Sequence, residues 1–227
     1  GLATSQVAIG WNTQNTCVAT SGRQRTYSTA GKGEIATGYL KTILPNEPAN
    51  SSANPVLSIR KEGNTPAWGA VYEQYFQEID KVKGQKGVLS VEKKLFVETN
   101  NGTNCQIRPV TPEQPLRIGD KVIVRLTIRT DREMNYVFLK DLRAGCFEPA
   151  DQLSGPESRD GIWYYRSPKD VSENFFINRL PEGTFVLEYP VYVSRSGEYA
   201  GGISTIQCMY APEFVSHTAG ESLRIMP

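Results

Sequence analysis

The stretch Val122-Ile123-Val124-Arg125-Leu126-Thr127-Ile128 alternates in a way that decides the fold class. Successive side chains of a β-strand point to opposite faces of the sheet. One face of this stretch therefore carries four apolar residues, which are Val122, Val124, Leu126 and Ile128. Arg125 and Thr127 lie on the opposite face. The pattern predicts a half-buried strand whose apolar face lies against a hydrophobic core.

Two further stripes have the same period of two residues. The first consists of Phe185, Leu187, Tyr189, Val191 and Val193. The second consists of Leu89, Val91, Leu95 and Val97, and it is interrupted by Lys93. Turn residues separate such runs at short intervals, as in Ile118-Gly119-Asp120 and Pro181-Glu182-Gly183. Several short strands at this spacing predict an all-β protein made of β-sandwiches rather than βαβ units.

The segment from Trp68 to Ile79 is compatible with two secondary structures. Tyr72, Phe76 and Ile79 recur at helical spacing, whereas Trp68, Ala70, Tyr72 and Phe76 also share one face of a strand. The enrichment in aromatic residues favours a strand. A helix stays open as the alternative.

Length and composition limit the organisation and the partners of the chain. The 227 residues suffice for two domains, and a Lys/Gly-rich stretch at 81–87 predicts a boundary between domains 1–87 and 88–227. The net charge of +1 gives no general attraction to nucleic acid or anionic lipid. No apolar run approaches the roughly 20 residues of a membrane span, and any targeting segment is expected outside this chain.

Few residues are available for catalysis or metal binding. His217 is the single histidine, so Ser-His-Asp and Cys-His chemistry would both have to use it. The four cysteines contain no CxxC pair and allow three disulfide pairings, among which the sequence does not choose. No Walker, HExxH, GxSxG or GxGxxG motif occurs. We therefore expect a protein that is not an enzyme and that has no cofactor or metal.

Three clusters could still have a function. The rings of Trp163-Tyr164-Tyr165 suit stacking on a sugar, although the favoured interpretation is that alternate rings enter the core while Tyr164 faces solvent. Asp141 and Glu148 resemble a glycosidase acid and base, but nothing in their spacing distinguishes them from other acidic pairs. The mixed charges between Arg129 and Arg143 are typical of a solvated strand face.

Five phrases of the second half, read in order, resemble the C-terminal macroglobulin domain of bacterial α2-macroglobulins over about residues 88–227. They lie at 89–97, 119–126, 136–149, 175–189 and 209–214, and the last of them reads Met209-Tyr210-Ala211-Pro212-Glu213-Phe214. Segments at 30–40 and 67–72 resemble the part of the family that precedes this domain. The resemblance implies two β-sandwich domains, a partial CUB-like unit followed by a complete macroglobulin-type, immunoglobulin-like domain.

The resemblance also implies a function. Family members are periplasmic protease traps in which a thioester with a CxEQ motif, carried by a helical domain, captures the attacking protease. The nearest segment here, Cys146-Phe147-Glu148-Pro149, ends in proline instead of glutamine. This chain is thus expected to be a non-catalytic C-terminal part of a protease inhibitor. Its expected partners are other domains of the parent protein, including the absent thioester domain, and target proteases through the full-length protein. The parent is expected to be periplasmic or at the cell surface, as a lipoprotein anchored through a part outside this chain.

Particular residues follow from this resemblance. The motif residues Tyr210, Pro212, Glu213, Phe214 and His217 are expected to fix a conformation rather than to catalyse a reaction, since Pro212 donates no ladder hydrogen bond. Cys146 and Cys208 would lie on strands of one domain of an exported protein, and we expect them to form a disulfide. The competing function is a cell-surface adhesin or carbohydrate-binding module that uses Trp163, Tyr164 and Tyr165.

Overall fold

The structure is a computed structural model, and it divides the chain into two compact units, Gly1–Gln77 and Glu78–Pro227. It describes six strands between residues 6 and 74, and then residues 76–100, 105–111 and 113–227. Side chains are described for 76–99, 106–111 and 113–227. Residues 30–38 and 67–68, which contribute to the resemblance of the first half, lie outside the described residues.

The first unit is all-β in its described part. Its strands are β1 (Gln6–Asn12), β2 (Thr16–Ser21), β3 (Arg25–Ser28), β4 (Tyr39–Leu44), β5 (Leu57–Glu62) and β6 (Gly69–Gln74). They form two antiparallel three-stranded sheets with the orders β4-β1-β6 and β3-β2-β5. Strand β6 confirms the strand interpretation over Gly69–Gln74, but the strand ends before Phe76, and Trp68 lies outside the described residues.

The second unit begins with a 3-10 helix at Ile79–Lys81 and continues with fourteen described strands. They are β7 (Ser90–Asn100), β8 (Cys105–Pro109), β9 (Leu116–Arg117), β10 (Lys121–Thr130), β11 (Met134–Leu142), β12 (Phe147–Pro149), β13 (Gly155–Arg159), β14 (Ile162–Pro168), β15 (Ser172–Leu180), β16 (Gly183–Val193), β17 (Gly197–Ala200), β18 (Ser204–Cys208), β19 (Val215–His217) and β20 (Ser222–Met226). A five-stranded sheet has the order β12-β16-β10-β7-β8, and a six-stranded sheet has the order β13-β14-β15-β11-β18-β19. A small third sheet has the order β17-β20-β9.

The three predicted apolar stripes form the centre of the five-stranded sheet. Strand β10 lies between β16 and β7, and Val124 pairs with Tyr189 on one side and with Leu95 on the other. All the apolar residues of the three stripes are buried in one hydrophobic core, which they share with residues of the six-stranded sheet such as Leu139 and Ile177. The all-β sandwich prediction is confirmed.

Two connections differ from the sequence analysis. Asp160 and Gly161, with φ values of 50° and 82°, form a two-residue turn between the paired residues Arg159 and Ile162. This Asp-Gly signal of a type I′ hairpin was not used in the prediction. The turn residues Pro181-Glu182-Gly183 would also suit a hairpin, but β15 and β16 lie in different sheets, so this connection crosses from one sheet to the other.

The second unit starts ten residues before the predicted boundary at 87/88, because the segment after Glu78 packs on the end of the chain. Gln85 and His217 exchange two main-chain hydrogen bonds of 2.9 and 3.0 Å. Gly220 donates its N–H to the Val82 carbonyl at 2.8 Å. A Cβ on Gly220 would lie 1.8 Å from the Ile79 carbonyl oxygen, so only glycine permits this approach.

Candidate functional site

Asp141 is the centre of a buried polar cluster between the two large sheets. It lies on the inner face of β11 and is fully buried. The Lys93 ammonium donates to its Oδ1 at 2.8 Å, and the Ser204 hydroxyl donates to the same oxygen at 2.7 Å. The Tyr189 hydroxyl donates to Oδ2. Lys93 thus interrupts the apolar stripe of β7 because it supplies the counter-charge of a buried carboxylate.

Glu173 is the centre of a second buried cluster, on β15. Its Oε1 accepts from Arg166 Nε at 2.7 Å, and its Oε2 accepts from Arg143 Nη2 at 3.1 Å. Arg166 Nη1 also lies 3.2 Å from Asp151 and 3.4 Å from Glu157. Burial of a carboxylate is tolerated here because two guanidinium groups compensate its charge.

The environment of these clusters keeps two phenols protonated. Burial, together with the neighbouring Asp141 carboxylate, raises the pKa of Tyr189 well above its usual value. Burial and the hydrogen bond to Glu157, at 3.0 Å, raise the pKa of Tyr164 to about 12. Each phenol acts as a hydrogen-bond donor to a carboxylate. The Asp141 cluster therefore links the two large sheets, whereas the Glu173 cluster joins β14 and β15 to Arg143, just after the end of β11.

These positions qualify one expectation about charge and leave the acidic pair unsupported. Most of the charges between Arg129 and Arg143 are exposed, in agreement with the predicted solvated face. Asp141 and Arg143 are the exceptions, because β11 turns Asp141 inward to Lys93 and because Arg143, which follows β11, pairs with the buried Glu173. Glu148 is exposed on β12. Asp141 is enclosed in the core, which leaves no room beside it for a substrate.

Strand β14 places its three aromatic residues on two different faces. Tyr164 is buried beside Phe175, at a ring-centroid distance of 5.7 Å, while Trp163 is 71% and Tyr165 is 47% exposed. The expectation that Tyr164 faces solvent is therefore wrong. Ile162 and Arg166 have the same parity as Tyr164 and are buried, and they fix which side of the strand faces the core. The three rings do not form one platform.

The phrase Met209-Tyr210-Ala211-Pro212-Glu213-Phe214 forms the turn between β18 and β19. Cys208 N–H donates to the Phe214 carbonyl at 3.0 Å, and Phe214 N–H donates to the Ala211 carbonyl at 3.0 Å. Met209 N–H donates to the Tyr136 carbonyl at 2.9 Å, which attaches the turn to β11. Pro212 and Glu213 are exposed at the tip.

His217 follows this turn on β19. Its main chain makes the two hydrogen bonds with Gln85, while its ring Nδ1 lies 3.1 Å from the Thr218 carbonyl oxygen. Its main chain ties β19 to the segment at Gln85, and a conformation-fixing role of its ring stays a prediction. A role of the Glu213 side chain in fixing the conformation stays a prediction.

Cys146 and Cys208 are separate buried thiols in the structure, contrary to the predicted disulfide. Cys208 lies opposite Val137 on β11, and its thiol donates to the Asn135 carbonyl at 3.2 Å. Cys146 lies beyond the other end of β11, where its carbonyl accepts from the Ser194 N–H at 2.8 Å. Cys208 thus pairs with the first half of β11 while Cys146 follows the end of that strand, and both thiols are free. The side chains of Cys17 and Cys105 lie outside the described residues.

The described residues offer neither a candidate metal site nor a candidate membrane-spanning helix. Among these residues, no group of three His, Cys, Asp or Glu side chains is arranged to hold a metal ion. No helix there is long and apolar enough to cross a membrane.

The fold and these clusters define a β-sandwich protein whose buried charges support its own core. Residues 89–213, more than half of the chain, match the family model described as Bacterial Alpha-2-macroglobulin MG10 domain. The chain belongs to this family, which confirms the resemblance stated from the sequence.

Solved structures of bacterial α2-macroglobulins share the fold. Salmonella α2-macroglobulin reacted with methylamine has a TM-score of 0.54 at 19% identity, covering 93% of this chain and 13% of that one. Native Escherichia coli α2-macroglobulin, from domain MG7 to the C-terminus, has a TM-score of 0.54 at 16% identity. The match covers 93% of this chain and 33% of that one. The Escherichia coli protein activated by porcine elastase has a TM-score of 0.52 at 16% identity. The match covers 93% of this chain and 18% of that one.

One curated relative is similar in sequence. Circularly permutated Ras protein 2 from Dictyostelium discoideum is 28% identical over 109 residues, which make up 48% of this chain and 3% of that protein. This chain therefore spans only a small part of the length of this relative and of the matched structures.

Proposed function

We propose that this chain is the non-catalytic C-terminal part of a larger, α2-macroglobulin-like protease-trapping inhibitor. In this proposal the Glu78–Pro227 unit is a structural domain that contacts the thioester domain of the same parent protein. The family match supports the parent class. The paired charges around Asp141 and Glu173 support a structural role, because each of them is engaged by another residue of the unit.

The observation that carries the contact role is an exposed apolar surface at the β18–β19 turn. We call Tyr136, Met209 and Tyr210 the turn patch; they are 53%, 57% and 81% exposed. The rings of Tyr136 and Tyr210 meet edge to face at 5.1 Å, and the main chain of Met209 is bonded to Tyr136. Exposed apolar groups that are fixed in this way are typical of a preformed interface.

The proposal extends to the first unit and to the location of the parent. The two antiparallel sheets of Gly1–Gln77 are compatible with the C-terminal share of a CUB-like domain. The parent would act in the periplasm or at the cell surface. Lipid anchoring would use a part of the parent outside this chain.

The contact role is tested in the full-length parent by the double substitution Met209→Ala and Tyr210→Ala. If the turn patch holds the thioester domain, its loss should lower covalent capture of porcine elastase by roughly thirtyfold or more, because two interface anchors of this kind together contribute more than about 2 kcal/mol. Capture is measured as the elastase that stays attached to the parent under denaturing conditions.

The matched control is Tyr192→Ala, because Tyr192 is 45% exposed on β16, in the opposite sheet. It should leave capture unchanged. Unchanged capture in the double variant would contradict the contact role. Equal losses in both variants would indicate a general effect on folding and would also contradict it.

A further inference from the structure

A groove of about 480 Å³ lies beside Trp163 on the outer face of the six-stranded sheet. Its wall and floor include Trp163, Tyr165, Phe176, Asn178, Arg179 and Pro181. Strands β14 and β15 align these residues, since Tyr165 pairs directly with Phe176. Outer sheet faces usually carry polar residues, so three large rings in one groove require an explanation.

The rings of the groove differ in how they are fixed. Phe176 stacks on Phe138 of β11, with ring centroids 4.9 Å apart and planes inclined by 25°. This stacking holds Phe176 in place. Trp163 and Tyr165 form no ring pair among the described residues and are 71% and 47% exposed. Their faces are therefore available to a ligand.

The polar atoms of the groove point to a neutral ligand. The Trp163 indole N–H, the Tyr165 hydroxyl and the Asn178 amide make no hydrogen bond with the described residues, so all three can bond a ligand. The nearby cation, Arg179, is paired with Glu133 at 2.7 Å. A phosphate or an acidic peptide would find no unpaired positive charge here, which argues against nucleic acid as the ligand.

We propose that this groove binds a neutral oligosaccharide through stacking on Trp163 and Tyr165. A pyranose ring presents C–H bonds on one face and hydroxyl groups around its rim. The C–H face, which is partially positive, suits the electron-rich face of an aromatic ring. The hydroxyl groups suit the free donors and acceptors of Tyr165 and Asn178. This site is separate from the turn patch and does not depend on the proposed function.

The proposal is tested on the full chain with two neutral probes, cellohexaose and hexa-N-acetylchitohexaose, by isothermal titration calorimetry. We expect at least one probe to bind, and we expect Trp163→Ala to weaken it roughly tenfold or more, a change of about 1.4 kcal/mol. Tyr165→Ala should also weaken binding. Tyr165→Phe should retain most of the affinity because it keeps the stacking face.

Tyr192→Ala is again the matched control, with an exposure close to that of Tyr165 and a position on the other sheet. It should bind the probes as the unchanged chain does. Absence of binding by both probes at millimolar concentration would overturn the proposal. So would affinity that survives Trp163→Ala, or concentration-dependent self-association that this substitution abolishes, since the groove would then bind a second copy of the chain.

Discussion

Asp141 shows how a charge can be placed inside a sandwich of this size. Its carboxylate accepts hydrogen bonds from Lys93, Ser204 and Tyr189, which come from three different strands. A buried ion pair adds little stability over an apolar core, but the loss of one partner is costly because the other charge stays buried. The cluster therefore fixes the relative positions of the strands that contribute to it.

Replacing Asp141 by asparagine should destabilise the second unit by about 3 kcal/mol, because the Lys93 ammonium then has no counter-charge. The measurement is urea unfolding of the full chain. The matched control is Asp131→Asn, which removes an exposed carboxylate paired with Arg132 at 2.8 Å and should change the unfolding midpoint little. Equal shifts for the two variants would contradict the structural role of Asp141.

The two described cysteines provide a second prediction at the residue scale. Burial raises the pKa of the Cys146 thiol to about 11, so little thiolate is present at neutral pH. Cys146 should resist iodoacetamide at pH 8 in the folded chain and react after unfolding without prior reduction. Peptide mapping of the alkylated chain gives the answer. If Cys146 or Cys208 is alkylated in the unfolded chain only after reduction, the two cysteines form a disulfide and the separate thiols of the structure are contradicted.

The buried phenols make stability depend on alkaline pH. The pKa of Tyr164 is raised to about 12, above its ordinary 10, and that of Tyr189 is raised as well. Since the folded state holds these protons more tightly, their stabilisation is complete below pH 10 and is lost as the pH rises toward 12. The free energy of unfolding should therefore fall above pH 10. Tyr164→Phe should reduce the slope, and an unchanged slope in both this variant and Tyr189→Phe would exclude these residues as its cause.

At the scale of elements, the β13–β14 hairpin depends on the backbone of one glycine. Gly161 has a φ of 82°, whereas Gly155, at the start of the same hairpin, has no such conformation. A Cβ at either position would meet no atom within 4 Å, so the two glycines differ in backbone conformation and not in available space.

Gly161→Ala should cost roughly 1–2 kcal/mol, the penalty of the left-handed region for a residue with a Cβ. Gly155→Ala should be neutral or slightly stabilising, because it reduces the freedom of the unfolded chain. Thermal unfolding of the two variants provides the comparison. A penalty at Gly155 that equals that at Gly161 would show that steric contact, rather than φ, governs this hairpin.

The strands of the second unit differ in how far the sequence determined them. β10 was predictable because its strict alternation leaves one apolar face, and only one phase of the strand buries that face. The buried face of β14 was not predictable from its three aromatic residues, because Trp163, Tyr164 and Tyr165 are similar in hydrophobicity. The neighbouring Ile162 could have indicated which face enters the core. Lys93 was seen only as an interruption, since its partner Asp141 lies 48 residues away. Such pairs depend on tertiary contacts that periodicity does not encode.

At the scale of the molecule, the structure establishes two compact β units, of which the second contains the MG10 match. The matched structures are several times longer than this chain, which covers 13% of the Salmonella protein. A multidomain parent would therefore explain why the turn patch is exposed in this chain. Its side chains are exposed in this chain, and under the proposed function a neighbouring domain of the parent would bury them.

Hydroxyl-radical footprinting of this chain and of the full-length parent tests that claim most directly. Methionine and tyrosine side chains react readily with the radical when they are exposed, so oxidation of Met209, Tyr136 and Tyr210 reports the accessibility of the turn patch. We predict strong oxidation of these residues in this chain and clear protection in the native parent, with Tyr192 as the internal reference. Equal oxidation of the turn patch in the chain and in the parent would contradict the proposed domain contact.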